Sequence, residues 1–203
     1  DSVGSIRNPI WIAHREGRAK DGRDLTEPAV IKMLALSRAR GEAPEGVLSE
    51  LNIVPLVISY EVDPCDALKA AELAAGAEYV KAEFEDVSSI ARGITGEKGC
   101  VHLHFGEPLP ANLSVEGVVA AVDQQMAEHY RLYQTNRWAW EWLHGERVPA
   151  AVVFHEGSMT EQSFRARLDN VPDEHRRWLL TMYANPVSRR LAFDANAQDS
   201  SCD

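Results

Sequence analysis

The sequence predicts an α/β fold, a sheet covered by helices, with a mainly helical C-terminal extension. Three observations lead there. Short apolar runs rich in β-formers, at Pro9–His14, Asn52–Tyr60 and Cys100–Phe105, alternate with stretches of helical periodicity. Those runs are mostly continuous rather than alternating apolar and polar, the pattern of strands buried on both faces. Beyond Thr135 the periodicity is mainly helical, so we divide the chain into an α/β part, 1–133, and a helical part, 134–203.

Each element follows from local chemistry. Pro-Ile-Trp-Ile-Ala-His at 9–14 reads as a buried strand running into a charged loop at 15–24, where Gly17 and Gly22 permit tight backbone. A helix is expected from Glu27, with Thr26 as its cap and Pro28 in its first turn; Val30, Met33 and Leu34 recur at helical spacing. Gly41–Gly46 reads as a loop. In the second strand Pro55 must lie at an edge, a start or a bulge, because it has no N–H for the ladder. Asp63-Pro64-Cys65-Asp66 starts a helix that extends to Ala75. Gly106-Glu107-Pro108 closes the third strand, and a longer helix spans Ser114 to Tyr133. Val148–Phe154 is an apolar run, and a last helix is expected near Glu174 to Ala184.

Composition narrows the function classes. The 203 residues carry a formal net charge of −10, which argues against nucleic-acid binding by bulk charge and against anionic membranes by net charge alone. No apolar run approaches the ~20 residues that span a bilayer. Three unpatterned cysteines, Cys65, Cys100 and Cys202, do not suggest a disulfide framework and favour a reducing compartment, so the expectation is a cytoplasmic protein.

The densest chemistry lies in the loop after the first strand. Arg15, Arg18, Lys20 and Arg23 stand among Glu16, Asp21 and Asp24, and Gly17 lets backbone approach a ligand closely. Cations on a loop at the carboxyl end of a strand suit a phosphate. On composition alone, a solvated, self-neutralised turn is the more ordinary reading. The loop is not a P-loop, because no Gly-Lys-Ser/Thr follows Gly17 at the required distance.

Glu16-Gly17-Arg18-Ala19-Lys20-Asp21-Gly22 resembles the third characteristic block of the glycerol-3-phosphate/1-acylglycerol-3-phosphate acyltransferase superfamily. That block reads Glu-Gly-Thr-Arg in lysophosphatidate acyltransferases and Glu-Gly-Gly-Arg-Ser-Arg-Thr-Gly in glycerol-3-phosphate acyltransferases. This chain is closer to the second form, one residue shorter. Ile53-Val54-Pro55-Leu56-Val57-Ile58-Ser59-Tyr60-Glu61 resembles the fourth block, and Val101-His102-Leu103-His104-Phe105-Gly106-Glu107-Pro108-Leu109 the strand and turn that follow it. The resemblance implies an acyltransferase-like fold and transfer of an acyl chain from a thioester to a hydroxyl of a glycerol-phosphate or lysophospholipid acceptor. It implies that Arg18 and Lys20 hold the acceptor phosphate while Glu16 and Gly17 shape the loop. The donor would be acyl-CoA or acyl-carrier protein, a co-substrate; no cofactor, metal or nucleic acid is implied. It further implies phospholipid biosynthesis and a place peripheral to the inner face of a membrane.

The family's chemistry belongs to His-x4-Asp, whose histidine takes the proton of the acceptor hydroxyl. Five positions after the seven histidines come Ala19, Glu107, Leu109, Gln134, Pro149, Thr160 and Leu180; none is Asp. His102-x4-Glu107 is a near miss inside a turn signal. Only 15 residues precede Glu16, too few for the first two blocks, so the expectation is an incomplete fold that holds the acceptor and is inactive alone. A non-catalytic module that binds a phosphorylated ligand or a partner chain is the alternative.

Rival constellations rank lower. His102 and His104 share a strand face and, with His155 or Glu107, have ligand types for zinc or iron, yet two polar-face histidines are the commoner arrangement. Cys65 and Cys100 lack metal spacing and read as buried structural residues. Trp138, Trp140 and Trp142, with Tyr130 and Tyr133, read as core packing, with an acyl-chain or membrane-interface surface as the alternative. Arg176, Arg177, Arg189 and Arg190 read as a solvated helix face.

Overall fold

The computed structural model describes residues 9–15, 19–36 and 43–200. In chain order it contains α1 (Pro28–Ala35), α2 (Pro44–Glu50), β1 (Leu56–Tyr60), α3 (Asp66–Ala75), a 3-10 turn (Gly76–Glu78), α4 (Glu85–Thr95), β2 (Val101–Phe105), α5 (Val115–His129), α6 (Gln134–His144), α7 (Glu161–Asp169) and α8 (Asp173–Ser200). The protein is helix-rich, and its described sheet is a single antiparallel pair, β1–β2. The antiparallel register shows in the bonds flanking the strands: Glu61 N donates to Cys100 O at 2.9 Å, and Gly106 N to Pro55 O at 2.8 Å.

The chain folds as two compact units: Asp1–Arg18, Asp24–Val57 and His104–His129 form one; Ala19–Arg23, Ile58–Leu103 and Tyr130–Asp203 form the other. The division runs within both strands. In the first unit α1 packs on α2 and α5, burying Ile31, Ala35, Val47, Leu48, Val118, Val122 and Met126. Thr26 donates from both its amide (2.9 Å) and its hydroxyl (2.7 Å) to Asp123 Oδ1. Its side chain is therefore spent on α5 instead of capping α1, whose N-cap residue is Glu27; Pro28 does occupy the first turn.

In the second unit α8 packs along both α6 and α3. One apolar cluster gathers Ala70, Trp138, Phe164, Leu179 and Tyr183; another gathers Leu132, Trp140, Val152, Ala184 and Val187. Trp138 and Trp140 are buried and Trp142 stacks on Phe164 at 5.7 Å, so the tryptophans pack the core. Trp142 also carries the Arg165 guanidinium over its ring at 4.3 Å.

Several further expectations need correction. Pro9–His14 is not a strand: no β-ladder forms over it among the described residues, although Glu27 N donates to His14 O at 2.9 Å, and Trp11 is 77% exposed. A strand requires ladder partners, which an apolar run does not itself supply. Gly41–Gly46 is not wholly a loop, since Pro44 opens α2. The sheet is not covered on every face, for Val101, Leu103 and Phe105 all stand exposed on β2. The last helix does not stop at Ala184 but continues through Pro186 to Ser200. α4 lies where no helix was expected, whereas α7 falls within the stretch beyond Thr135 that was expected to be mainly helical. Among the described residues no helix is long and apolar enough to cross a membrane.

Candidate functional site

Of the four residues assigned to phosphate binding, Glu16, Gly17 and Arg18 lie outside the described residues. Lys20 is described, in the second unit, on the turn Ala19–Arg23. Its ammonium pairs with the Glu72 carboxylate on α3, and 44% of its side chain remains exposed. One helical turn earlier, Lys69 Nζ donates to Ala19 O at 3.3 Å and pairs with Asp63 Oδ2 at 2.5 Å. Residues three apart share a helix face, so α3 presents a cation to the loop's carbonyl and an anion to its ammonium. The turn closes on itself where Arg23 N donates to Asp21 Oδ1 at 3.1 Å. Arg23 points largely to solvent, 3.9 Å from Asp21 Oδ2.

α3 is anchored by a buried polar network. Arg167 on α7 grips Asp66 with two bonds, Nε to Oδ2 at 2.5 Å and Nη2 to Oδ1 at 2.9 Å. The Tyr183 hydroxyl donates to Asp66 Oδ2 at 2.8 Å and accepts from Asp63 N at 2.9 Å. Burial, with Asp66 beside it, pushes the Tyr183 hydroxyl well above its usual value. Burial opposes the charge on Arg167, but Asp66 outweighs it and holds the guanidinium above its usual value.

Glu61, the last residue of the segment that resembles the fourth block, is buried and fully bonded. Its carboxylate accepts from Cys100 N (2.7 Å), Ser158 N (3.0 Å), Ser158 Oγ (3.1 Å) and Met159 N (2.6 Å). Burial pushes this carboxyl up, yet those four donors outweigh it and hold the group below the usual carboxylate value. Gly99 and Gly157 make room: a Cβ at either would collide with the Glu61 carboxylate. The Ser-Tyr-Glu ending of the block was visible in the sequence; that its acid ties residues 157–159 to the strand end was not.

The remaining candidates resolve simply. His104 stacks on His129 with ring centroids 4.1 Å apart. Among the described residues no group of three or more His, Cys, Asp or Glu side chains is placed to hold a metal ion. Cys65 is buried, with its thiol 3.4 Å from Ser89 O, whereas Cys100 is exposed, against expectation. Arg176 bonds the Val171 and Asp169 carbonyls, a use of its charge in closing α7 onto α8.

No family model, no curated protein and no solved structure matches this chain.

Proposed function

We propose that this chain supplies the acceptor-phosphate site of a glycerol-phosphate or lysophospholipid acyltransferase. Arg18 and Lys20 hold the acceptor phosphate, Glu16 and Gly17 shape the loop, and the fold is the later part of an acyltransferase-like domain. The acyl chain comes from acyl-CoA or acyl-carrier protein. The hydroxyl attacks the thioester carbonyl, an ester forms and the thiol leaves, with the hydroxyl's proton passing to a histidine base. None of the 203 residues forms that His-x4-Asp dyad, so this chain holds the acceptor and the transfer needs the dyad from elsewhere. Work on a lipid acceptor places the protein at the inner face of a membrane in phospholipid biosynthesis.

The observation that carries this reading is the state of Lys20. It is a loop cation already engaged with a carboxylate, and it is open enough to exchange Glu72 for a phosphate. The three ordered sequence blocks supply the family. Titration of the chain with glycerol 3-phosphate, followed calorimetrically, tests it. Arg18→Ala and Lys20→Met should each weaken binding by about tenfold or more, the loss of one charge-assisted hydrogen bond. Unchanged dissociation constants in both variants, or binding of glycerol as tight as of glycerol 3-phosphate, remove the reading.

The missing dyad also favours a second reading, a non-catalytic module for a phosphorylated ligand or a partner chain. The reading frame upstream of Asp1 separates them. A His-x4-Asp some tens of residues before Arg15 supports the enzyme, and a start codon at the boundary supports the module.

A further inference from the structure

α8 carries a proline in its interior. Pro186 has no N–H, so the carbonyl of Met182, four residues earlier, loses its helical donor. That is an unfavourable arrangement for a helix, and here it coincides with another chain segment. Gly22, with φ +75°, lies directly against the Met182 carbonyl, so close that a Cβ would collide with its oxygen. Only glycine meets both demands, the left-handed backbone and the close approach. One residue before the proline, Asn185 Nδ2 donates to the Asp21 carbonyl at 2.6 Å. Across two consecutive loop residues, then, α8 offers an amide donor and a carbonyl whose usual donor four residues on is a proline. From α3, Lys69 and Glu72 engage the two preceding residues, Ala19 and Lys20.

We infer that the Asn185–Pro186 break in α8 is the seat of the Asp21–Gly22 turn, and that Asn185 is a positioning residue for Lys20. The helical C-terminal region is thereby part of the acceptor site rather than an appendage to it. Asn185 touches no ligand. It satisfies a loop carbonyl that has no other donor among the bonds of the turn, and so restricts the backbone from which Lys20 projects. The Asp-Gly ending of the third block gains a physical reason: Asp21 closes the turn onto Arg23 N, and Gly22 admits the helix.

The affinity arm of the test rests on Lys20 being a phosphate ligand; the exchange arm does not. Three variants of the whole chain are compared with the parent: Asn185→Leu, which removes the donor at similar size; Asn185→Gln, which keeps an amide; and Lys20→Met. Hydrogen exchange is read by mass spectrometry over residues 19–25, with α6 as the internal control. Inorganic phosphate and glycerol 3-phosphate are titrated in parallel. In Asn185→Leu the loop should exchange about two- to tenfold faster, the loss of one hydrogen bond. The exchange of α6 and the midpoint of urea unfolding should shift by no more than that one bond accounts for, while the dissociation constants rise by a similar factor. Asn185→Gln should fall between Leu and the parent. Unchanged loop exchange in Asn185→Leu overturns the seat. Faster exchange with unchanged affinity, where Lys20→Met does weaken binding, overturns the positioning role. If the parent binds neither phosphate compound, or Lys20→Met binds as well as the parent, the acceptor reading and the positioning role fall together, and exchange alone decides the seat.

Discussion

Two helices of the second unit, α3 and α4, have nearly the same length and opposite fates. α3 (Asp66–Ala75) has a modest apolar stripe, yet it is locked between α7 and α8 and carries the loop with Lys20. α4 (Glu85–Thr95) has the cleaner amphipathic pattern, with Val87, Ile90 and Ile94 on one face, and buries none of its residues. What holds α4 is mostly local, beside the Cys65 thiol at 3.4 Å from Ser89 O. The Tyr79 hydroxyl donates to Glu85 at 2.7 Å, which pushes that hydroxyl up to about 12, and Lys81 pairs with Asp86 at 2.8 Å. What holds α3 is long-range: one buried carboxylate, Asp66, tied to residues about a hundred positions away. The difference teaches that an apolar stripe states a capacity for burial, whereas a satisfied buried charge states a partner. A charge is not taken out of water unless its partner is already in place.

The largest effect should come from breaking that partner. Asp66→Ala leaves the Arg167 guanidinium half-buried and unpaired, and the Tyr183 hydroxyl without its acceptor. The cost should be roughly 3–5 kcal/mol, read as a fall in Tm of the order of 10 °C for a chain of this size. A loss below about 1 kcal/mol would show that α3 is held by its apolar contacts and would erase the contrast with α4.

Glu61 gives the next effect and a pH signature. Its four donors hold the folded carboxyl below its ordinary value. The stabilisation is therefore fully present above the unfolded value and is lost as pH falls through the folded one. Glu61→Gln should cost roughly 2 kcal/mol at neutral pH, since the amide repels some of the four donors. It should also flatten the decline of the urea midpoint below about pH 4.5. An equally steep acid decline in the variant would assign that decline to other carboxylates.

On the α4 side the effect should be smallest. Ile90→Ser and Ile94→Ser remove side chains that are already 57% and 73% exposed, so stability should stay within about 0.5 kcal/mol. Self-association measured by sedimentation should fall, because exposed apolar faces are what drive it. A large destabilisation would mean that α4 is buried against something in solution.

The same contrast explains what could be read in advance. β1, β2, α3 and α5 were legible because each combines a strong period with a boundary signal: Pro55 before the first strand, Asp63-Pro64 before α3, Gly106-Glu107-Pro108 after the second strand. α4 was missed despite its apolar period because its start lacks the usual signals, and α7 was foreseen only as part of a mainly helical stretch because it is short and polar. Phe84, in the left-handed region, stands at the cap of α4, and Thr160–Ser163 forms the capping box of α7. The extension of α8 past Ala184 was hidden by Pro186, which ordinarily ends a helix and here frees a carbonyl against Gly22. Pro9–His14 misled in the other direction: β-forming composition is necessary for a strand and not sufficient.

For the candidate site, the sequence by itself determined the chemistry on offer: a short loop dense in cations, two glycines in it, and no His-x4-Asp anywhere in the chain. Those are properties of residue type and spacing, and no fold can add or remove them. Only the tertiary structure decided that Lys20 faces Glu72, that Ala19 is bonded by Lys69, and that Asp21 and Gly22 rest on Asn185 and Met182. Those contacts join residues between about 50 and 164 positions apart. Hydrogen bonds and ion pairs act over a few ångströms, so no local pattern in the chain could announce them before the helices were packed.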